Sequence, residues 1–301
     1  MAAFKAAIIF LDMLQKYLSL VKFSHTIFAM PFAIVGFLLG ISFQSHFDWY
    51  KLLLIILSMV FARSAAMAFN RYLDSDIDAL NERTKIREIP SGVLSSKNVL
   101  LFTILNCMAF VVTTWFINHL CFQLSFVALA VILGYSYTKR FTPLCHFVLG
   151  LGLSLAPIGA FLAVTGKWDY LPILYSITVL TWVSGFDIIY ALQDYKFDLT
   201  NNLKSIPVLL GIKNALLLSR MLHIISGLVL IYATNLTTTT LPLYFHNIIW
   251  IGTSIFIGLL FYQHTLVKHN NLQKVNLAFF TTNGIASVLF SLCFILDWLI
   301  K

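Results

Sequence analysis

Residues 50–78 read YKLLLIILSMVFARSAAMAFNRYLDSDID, an apolar stretch that ends in a cluster of acids. The apolar part, residues 50–70, has the length of roughly 20 residues that a helix needs to cross a bilayer. Asn70, Asp74 and Asp78 follow at its end, at intervals of four residues. We therefore expect a membrane-spanning helix that carries polar side chains to one bilayer surface.

The composition of the whole chain agrees with a membrane protein. Of the 301 residues, 59% are hydrophobic and 11% are charged, and the mean hydropathy is +0.88. Soluble domains contain about 25% charged residues. Apolar stretches of similar length recur to the C-terminus and predict nine spans, at 24–42, 50–70, 99–117, 120–138, 146–165, 171–191, 211–233, 243–263 and 276–298.

The distribution of positive charge predicts the orientation of the chain. Lys and Arg outnumber Asp and Glu by 20 to 12, and most of them lie before the first span or after spans two, four, six and eight. Because basic loops stay in the cytoplasm, we expect a cytoplasmic N-terminus and an outer C-terminus, most simply in a bacterial inner membrane. The basic loops contain no nucleic-acid-binding motif, so no nucleic-acid partner is expected.

The predicted domain organisation has two parts. Residues 1–23 are expected to form an amphipathic helix on the membrane surface, and residues 24–301 a nine-span transmembrane domain. The predicted fold class is an all-α transmembrane, nine-helix bundle with two weakly related halves, 24–138 and 146–298. Cytoplasmic loops are expected to cap a central cavity.

Eight of the twelve acidic residues lie in two clusters, one after span two and one after span six. Ionisable side chains close to the hydrocarbon are costly and usually have a function. The clusters are therefore the candidate functional site. Their members are Asp74, Asp76, Asp78, Glu82 and Glu88, and Asp187, Asp194 and Asp198.

The spacing of the acids indicates a bound cation. If span two continues as a helix, Asn70, Asp74 and Asp78 share one face, and the second cluster has the same property with acids at i, i+7 and i+11. Stacked carboxylates repel one another unless a cation lies between them. Mg²⁺ suits such oxygen ligands, because it binds through one or two carboxylates together with waters and substrate phosphates.

The two clusters are related by a weak internal repeat. Asp194 and Asp198 lie 120 residues after Asp74 and Asp78, and an Ile-Pro pair follows each cluster. Membrane proteins built from two related halves place their binding site where the halves meet. Both clusters are therefore expected to face one cytoplasmic chamber, in which a single diphosphate lies between two metal sites.

Basic and aromatic side chains near the acids are candidate substrate ligands. Lys and Arg can neutralise a departing diphosphate, although the same residues also serve as ordinary cytoplasmic anchors. Aromatic rings can stabilise a cation, although most rings of such a chain face lipid or pack the spans. The candidates are Arg83, Arg87, Lys139, Arg140, Lys196, Tyr135, Tyr137 and Tyr190.

Two sequence motifs resemble those of a known family. Residues 70–78, followed by Arg83-Thr84 and by IPSG at 89–92, resemble the first signature of the UbiA superfamily of intramembrane prenyltransferases. Residues 185–198, GFDIIYALQDYKFD, resemble the second signature. The motifs, their order and the nine spans cover essentially the whole chain. The second signature and FSHT near the start are most similar to the 4-hydroxybenzoate polyprenyltransferase branch.

The resemblance implies a Mg²⁺-dependent transfer of a polyprenyl group from a polyprenyl diphosphate to a small aromatic acceptor, with membrane lipid around the site. It implies that Lys139 lies near the diphosphate, that Arg140 holds an acceptor carboxylate, and that Asp187 orients a nearby Lys or Tyr. Relatives often have Asn-Asp where this chain has Asn70-Arg71, so only Asn70 is expected to be a ligand. The implied Mg²⁺ ligands are Asn70, Asp74, Asp78, Asp194 and Asp198.

Several alternatives remain open from the sequence. The acceptor is 4-hydroxybenzoate, as in ubiquinone synthesis, or a naphthoate of menaquinone synthesis, including the futalosine route. A secondary transporter also has many spans and related halves, but its charges would lie at the bilayer midplane rather than at helix ends. The histidines, His146 among them, show no metal-binding spacing and are expected to be packing residues. The sequence discloses neither the prenyl chain length nor the oligomeric state.

Overall fold

The computed structural model describes residues 12–13, 15–22 and 28–300, and this part of the chain is helical without an extended strand. The helices follow one another along the chain, and the longest irregular connection between them is residues 81–95. They are α1 (Met30–Gln44), α2 (Trp49–Leu73), α3 (Ser75–Leu80), α4 (Ser96–Ile117), α5 (His119–Thr138), α6 (Cys145–Thr165), α7 (Tyr170–Ala191), α8 (Tyr195–Thr200), α9 (Ile206–Thr240), α10 (Ile248–Leu266) and α11 (Asn283–Leu299).

The chain is an integral membrane protein. Eight helical segments of the described residues are long and apolar enough to cross a membrane. The ninth, α1, is also apolar but has 15 residues, and the beginning of the predicted span 24–42 lies outside the described part. The predicted all-α transmembrane fold is confirmed.

Helix α7 forms the centre of the bundle and packs most extensively against α6 and α9. Trp182 and Tyr175 on this helix are fully buried. Trp182 donates to Asn283 Oδ1 at 2.8 Å, and the Tyr175 hydroxyl lies 2.8 Å from Thr237 Oγ1. Because a buried polar group without a partner is costly, these bonds fix the position of α7 and of the acidic segment that follows it.

Helices α1 and α6 approach each other closely at Gly36 and Pro157. A Cβ atom on Gly36 would lie 2.0 Å from the Pro157 carbonyl oxygen, so only glycine fits at this position. Other small residues of α6, Gly152 and Gly159, line an internal cavity. The sequence of α6 therefore allows both a tight helix contact and open space beside the helix.

Helix α9 is interrupted near its start. Gly211 has φ 73° and ψ 162°, a conformation that residues with a Cβ rarely adopt. The predicted span 211–233 therefore begins at the break, although helical structure begins at Ile206 and continues to Thr240.

The N-terminal segment packs against the loop that follows α3. Residues 15–20 are helical, and Leu20 is fully buried. Ser19 Oγ donates to Glu88 Oε1 at 2.6 Å. Most of the surface helix predicted at 1–23 lies outside the described residues.

The prediction that each acidic cluster lies on one continuous helix is wrong. Helix α2 ends at Leu73, and α7 ends at Ala191 before a 3-10 turn. Asp74 has φ −90° and ψ 7°, and Asp194 has φ −96° and ψ 3°. This conformation is common among active-site residues, and it changes the direction of the chain before α3 and α8. The same break in both segments is consistent with two related halves.

Candidate active site

The two acidic segments meet around one polar cavity of about 150 Å³. Asp74 and Asp78 line it from the first segment, and Asp194 lines it from the second. Asp198 is fully buried beside it, in contact with the lining residue Lys139. The structure therefore brings the two predicted clusters together.

The carboxylates of the first segment contact an amide and two guanidinium groups. Asn70 Nδ2 donates to Asp74 Oδ2 at 3.0 Å, and an Arg140 nitrogen lies 3.5 Å from Asp74 Oδ1. One Arg87 nitrogen lies 2.6 Å and 2.7 Å from the two oxygens of Asp78, which is nearly buried. Asp74 and Asp78 therefore each have a basic neighbour.

The second segment is bound mainly by residues of the first half. Arg83 Nε and Asn81 Nδ2 both donate to Asp194 Oδ1, at 3.0 Å and 3.1 Å. Lys139 Nζ lies 2.7 Å from Asp198 Oδ1. Hydrogen bonds to charged groups are stronger than neutral ones, so these contacts join the two halves at the cavity.

The electrostatics of the cavity favour a bound cation. Burial raises the pKa of Asp74, and the neighbouring Asp78 carboxylate raises it further, while Arg140 opposes the shift. A raised carboxyl pKa means that the charged form is poorly stabilised in the protein alone. A cation among these oxygens would remove that penalty.

A second, larger cavity of about 980 Å³ adjoins the polar one. It is lined mainly by apolar side chains of α2, α4, α5 and α6. It extends from Asp187 and Tyr190, near one end of α7, to Trp168 before its other end, which is about 30 Å along the helix axis. A long apolar chain would therefore be buried inside the bundle, with its polar end at the acids.

Seven residues line both cavities and mark their junction. Among them, Arg83 donates to the Tyr190 hydroxyl at 3.0 Å, and its guanidinium carbon lies 5.4 Å from the centre of the Tyr190 ring. The same ring stacks on Phe279 with a centroid distance of 4.1 Å. The shared residues are Asn70, Arg83, Thr84, Arg87, Tyr135, Asp187 and Tyr190.

Asp187 has a different partner from the one expected. The sequence predicted that it orients a Lys or a Tyr, but its Oδ2 atom lies 2.7 Å from His146 Nδ1. His146 also lines the small cavity and is buried. His146 is packed in the interior, as the sequence led us to expect, but it also contacts a carboxylate of the site, which the sequence did not indicate.

Three of the candidate substrate ligands do not reach either cavity. Arg140 donates to the Leu73 carbonyl at 2.6 Å and lies on the outside of the acidic segment. Tyr137 is 46% exposed and contacts the ring of Phe69. Lys196 is exposed. Helix periodicity explains why Tyr137 does not reach a cavity, because it lies two positions after Tyr135 and therefore on another face of the helix.

One site residue was not found from the sequence, and the role of a second was left open. Asn81 follows the first cluster directly, and an amide beside a group of acids was a usable signal. Arg63 lines the large cavity, and its Nε atom is buried without a hydrogen-bond partner in the part of the chain that the structure describes. It lies seven residues before Asn70, on the same face of span two, and from the sequence alone it could reach the acceptor, the acids or the membrane surface.

The polar cavity fits a hard cation that is completed by a substrate. No three His, Cys, Asp or Glu side chains of the described residues form a metal site by themselves. The donors that line the cavity are carboxylate and amide oxygens, notably of Asn70, Asp74, Asp78 and Asp194. Mg²⁺ prefers oxygen donors and often takes part of its shell from substrate phosphates, so this donor set suits it.

Comparison with protein families gives one match, which covers most of the chain. Residues 29–285 match the UbiA prenyltransferase family. A protein named 4-hydroxybenzoate octaprenyltransferase from Vesicomyosocius okutanii is 32% identical over 247 residues, which are 81% of this chain and 86% of that protein. A protein of the same name from Aliivibrio salmonicida is 30% identical, over 81% of this chain and 83% of the relative.

Solved structures show the same fold. A UbiA homolog from Aeropyrum pernix K1 superposes with a TM-score of 0.80 and 29% identity, over 91% of this chain and 98% of that one. A UbiA homolog from Archaeoglobus fulgidus, bound to DMAPP and Mg²⁺, has a TM-score of 0.74 and 23% identity, over 95% of this chain and all of that one. With a family match over residues 29–285 and two acidic segments around one cavity, this chain belongs to the UbiA prenyltransferase family.

Proposed function

We propose that this protein transfers a polyprenyl group from a polyprenyl diphosphate to 4-hydroxybenzoate, a step of ubiquinone synthesis. The observation that carries the proposal is the junction of a polar, acid-lined cavity with a long apolar one. A prenyl diphosphate has the same division, because it joins a charged head to a long apolar tail. The names of the relatives supply the acceptor.

Four acids at the polar cavity, together with Asn70, are the proposed Mg²⁺ ligands. The set is Asn70, Asp74 and Asp78 from the first half with Asp194 and Asp198 from the second. Mg²⁺ held there would neutralise the diphosphate oxygens, as a metal ion does for a developing negative charge. A structural neighbour of the same fold was solved with DMAPP and Mg²⁺, which supports Mg²⁺ as the metal.

Basic side chains at the same cavity are proposed to assist the departure of the diphosphate. Arg83, Arg87 and Lys139 line the cavity and contact its acids. Positive groups that are already in place stabilise a leaving anion without reorganisation. The allylic cation that remains lies beside Tyr135 and Tyr190, whose rings attract positive charge. The apolar cavity excludes the water that would otherwise capture it.

Arg63 is the proposed ligand of the acceptor carboxylate. It lies two helical turns from Asn70, about 10 Å along α2, and it lines the apolar cavity. Arg71 also lines that cavity, but it lies near Asp78 and Glu88, whereas Arg63 forms no ion pair with any of the described residues. A buried guanidinium without a counter-charge favours the binding of a carboxylate.

Replacing Arg63 by Met should raise KM for 4-hydroxybenzoate about 10- to 100-fold, because a hydrogen bond to a charged group contributes roughly 1.5–3 kcal/mol. KM for the prenyl diphosphate should stay close to that of the wild type. Steady-state kinetics in detergent or nanodiscs measures both constants. Arg63→Lys, which keeps the charge, is the matched control and should restore part of the affinity. An unchanged KM for 4-hydroxybenzoate in Arg63→Met would contradict the assignment.

We further propose that the acidic segments face the cytoplasm, with the N-terminus on that side and the C-terminus outside. The excess of Lys and Arg in the loops on the acidic side supports this orientation. Residues 1–23 are proposed as a separate surface segment and 24–301 as the catalytic domain, with membrane lipid around it. Labelling of single cysteines in intact cells tests the orientation.

Mass spectrometry of quinones and their aromatic precursors tests the proposed function. A strain that lacks this protein should lose ubiquinone and accumulate 4-hydroxybenzoate, and the purified protein should prenylate that acid. Accumulation of a naphthoate with loss of menaquinone would overturn the choice of acceptor. Normal quinone levels and an inactive purified protein would overturn the function itself.

A further inference from the structure

His146 connects the start of one helix with a carboxylate at the junction of the two cavities. Its Nε2 atom lies 3.3 Å from the backbone nitrogen of Ile206, the first residue of α9. Its Nδ1 atom lies 2.7 Å from Asp187 Oδ2. The imidazole is almost fully buried, with 3% of its residue surface exposed.

These two contacts determine the tautomer of the imidazole. A backbone N–H only donates, so Nε2 must accept and carries no proton. The proton of the neutral ring therefore lies on Nδ1, which donates to Asp187 Oδ2. This hydrogen bond restricts the rotation of the Asp187 side chain.

The other carboxylate oxygen remains available to a substrate. Asp187 lines both cavities, and within the described ranges no side chain or backbone group bonds to its Oδ1 atom. The acids at one side of the junction and the apolar cavity at the other place the reacting carbon of a prenyl diphosphate near this residue. An acceptor ring that attacks this carbon must release its proton at the same place.

We propose that His146 is a positioning residue, which holds the Asp187 carboxylate aimed at the junction, where it accepts the proton that the acceptor ring releases. The proposal rests on the proposed prenyl transfer. In that step the bond between the allylic carbon and the diphosphate oxygen breaks, and the diphosphate leaves with the electron pair. The ring carbon then bonds to the allylic carbon. Its C–H electrons restore the aromatic ring, and the proton moves to Asp187 Oδ1.

If His146 had only a structural role, its loss would reduce stability without a specific effect on proton removal. The histidine also satisfies one of the unpaired N–H groups that begin every helix, so its loss is expected to reduce stability in either case. His223 is a similar buried histidine, which contacts the Trp182 carbonyl and His264 but lines neither cavity. It is therefore the matched control for loss of a buried imidazole.

The test compares His146→Leu, His146→Gln and the control His223→Gln in the purified full-length protein. The amide of Gln can accept from Ile206 and donate to Asp187, whereas Leu can do neither. We expect His146→Leu to lower kcat about 10- to 100-fold, less than the full contribution of a general base, with KM for the prenyl diphosphate unchanged. His146→Gln should restore most of kcat, and His223→Gln should keep it.

An isotope effect separates positioning from stability. If proton removal becomes the slow step, 4-hydroxybenzoate deuterated at the ring positions beside the hydroxyl should react more slowly in His146→Leu than the unlabelled acid. The wild type should show a smaller difference. A decrease in kcat without this isotope effect, or without rescue by Gln, overturns the proposal. If the wild type itself transfers no prenyl group while it still binds Mg²⁺ and diphosphate, the proposed function fails instead.

Discussion

Asp194→Asn is expected to lower kcat for prenyl transfer about 1,000-fold, and Asp78→Asn should have an effect of the same size. Asn keeps the size of the side chain and removes its charge, so the proposed Mg²⁺ ligand is lost while the packing is retained. Because the two residues come from different halves of the chain, equal losses would indicate that both halves serve one reaction. Transfer from labelled prenyl diphosphate in purified protein measures the effect.

Asp76→Asn is the matched control for these variants. Asp76 lies in the same motif, but it is exposed and lines neither cavity. Its replacement should leave kcat within about twofold, since surface substitutions usually have small effects. Thermal unfolding of Asp78→Asn and Asp194→Asn must accompany the assay. These two variants leave a basic partner, Arg87 and Arg83 respectively, without its carboxylate. Full activity of either site variant would refute the metal assignment.

Gly159→Phe is expected to abolish transfer of an octaprenyl group while transfer of a geranyl group persists. Gly159 lines the large cavity, and no atom lies within 4 Å of the position that its Cβ would take. A phenyl ring there occupies the space of the prenyl tail, at about 20 Å from His146 along α6. Short chains end before this point, so their diphosphates still bind. We expect a loss of at least about 100-fold for the long substrate, because a chain that cannot enter loses its apolar burial.

Gly258→Phe on α10 controls for the added ring. Gly258 also has open space around its Cβ position, but it is exposed and lies away from both cavities. This variant should transfer both substrates at the rate of the wild type. Equal transfer of octaprenyl and geranyl groups by Gly159→Phe would mean that the tail takes another route.

The sequence predicts the helices of this protein better than their ends. Hydrophobic length identified the spans, because a bilayer sets the number of residues in a crossing helix. It could not predict that α2 and α7 end at Leu73 and Ala191, before most of the acids. Periodicity assumes a continuous helix, whereas the breaks at Asp74 and Asp194 depend on packing between the halves.

The sequence also identified the residue types of the site better than the contacts between their side chains. Most of the predicted acids lie at one cavity together with Arg83, Arg87 and Lys139, because charge in a membrane protein concentrates where it is used. Pairs that join distant parts of the chain, such as His146 with Asp187, have no signal in spacing. The direction of a side chain after a helix end is equally hidden, and for this reason Lys196 was expected at the site and lies outside it. Periodicity could have placed Tyr137 on another helix face than Tyr135.

The central claim is that both acidic segments bind metal ions around one diphosphate. Electron paramagnetic resonance of the purified protein with Mn²⁺ in place of Mg²⁺ and a prenyl diphosphate tests this claim most directly. We predict a spin-coupled pair of Mn²⁺ ions in the wild type, and a single uncoupled ion in Asp194→Asn. A single isolated ion in the wild type, or a coupled pair that survives Asp194→Asn, would contradict the account.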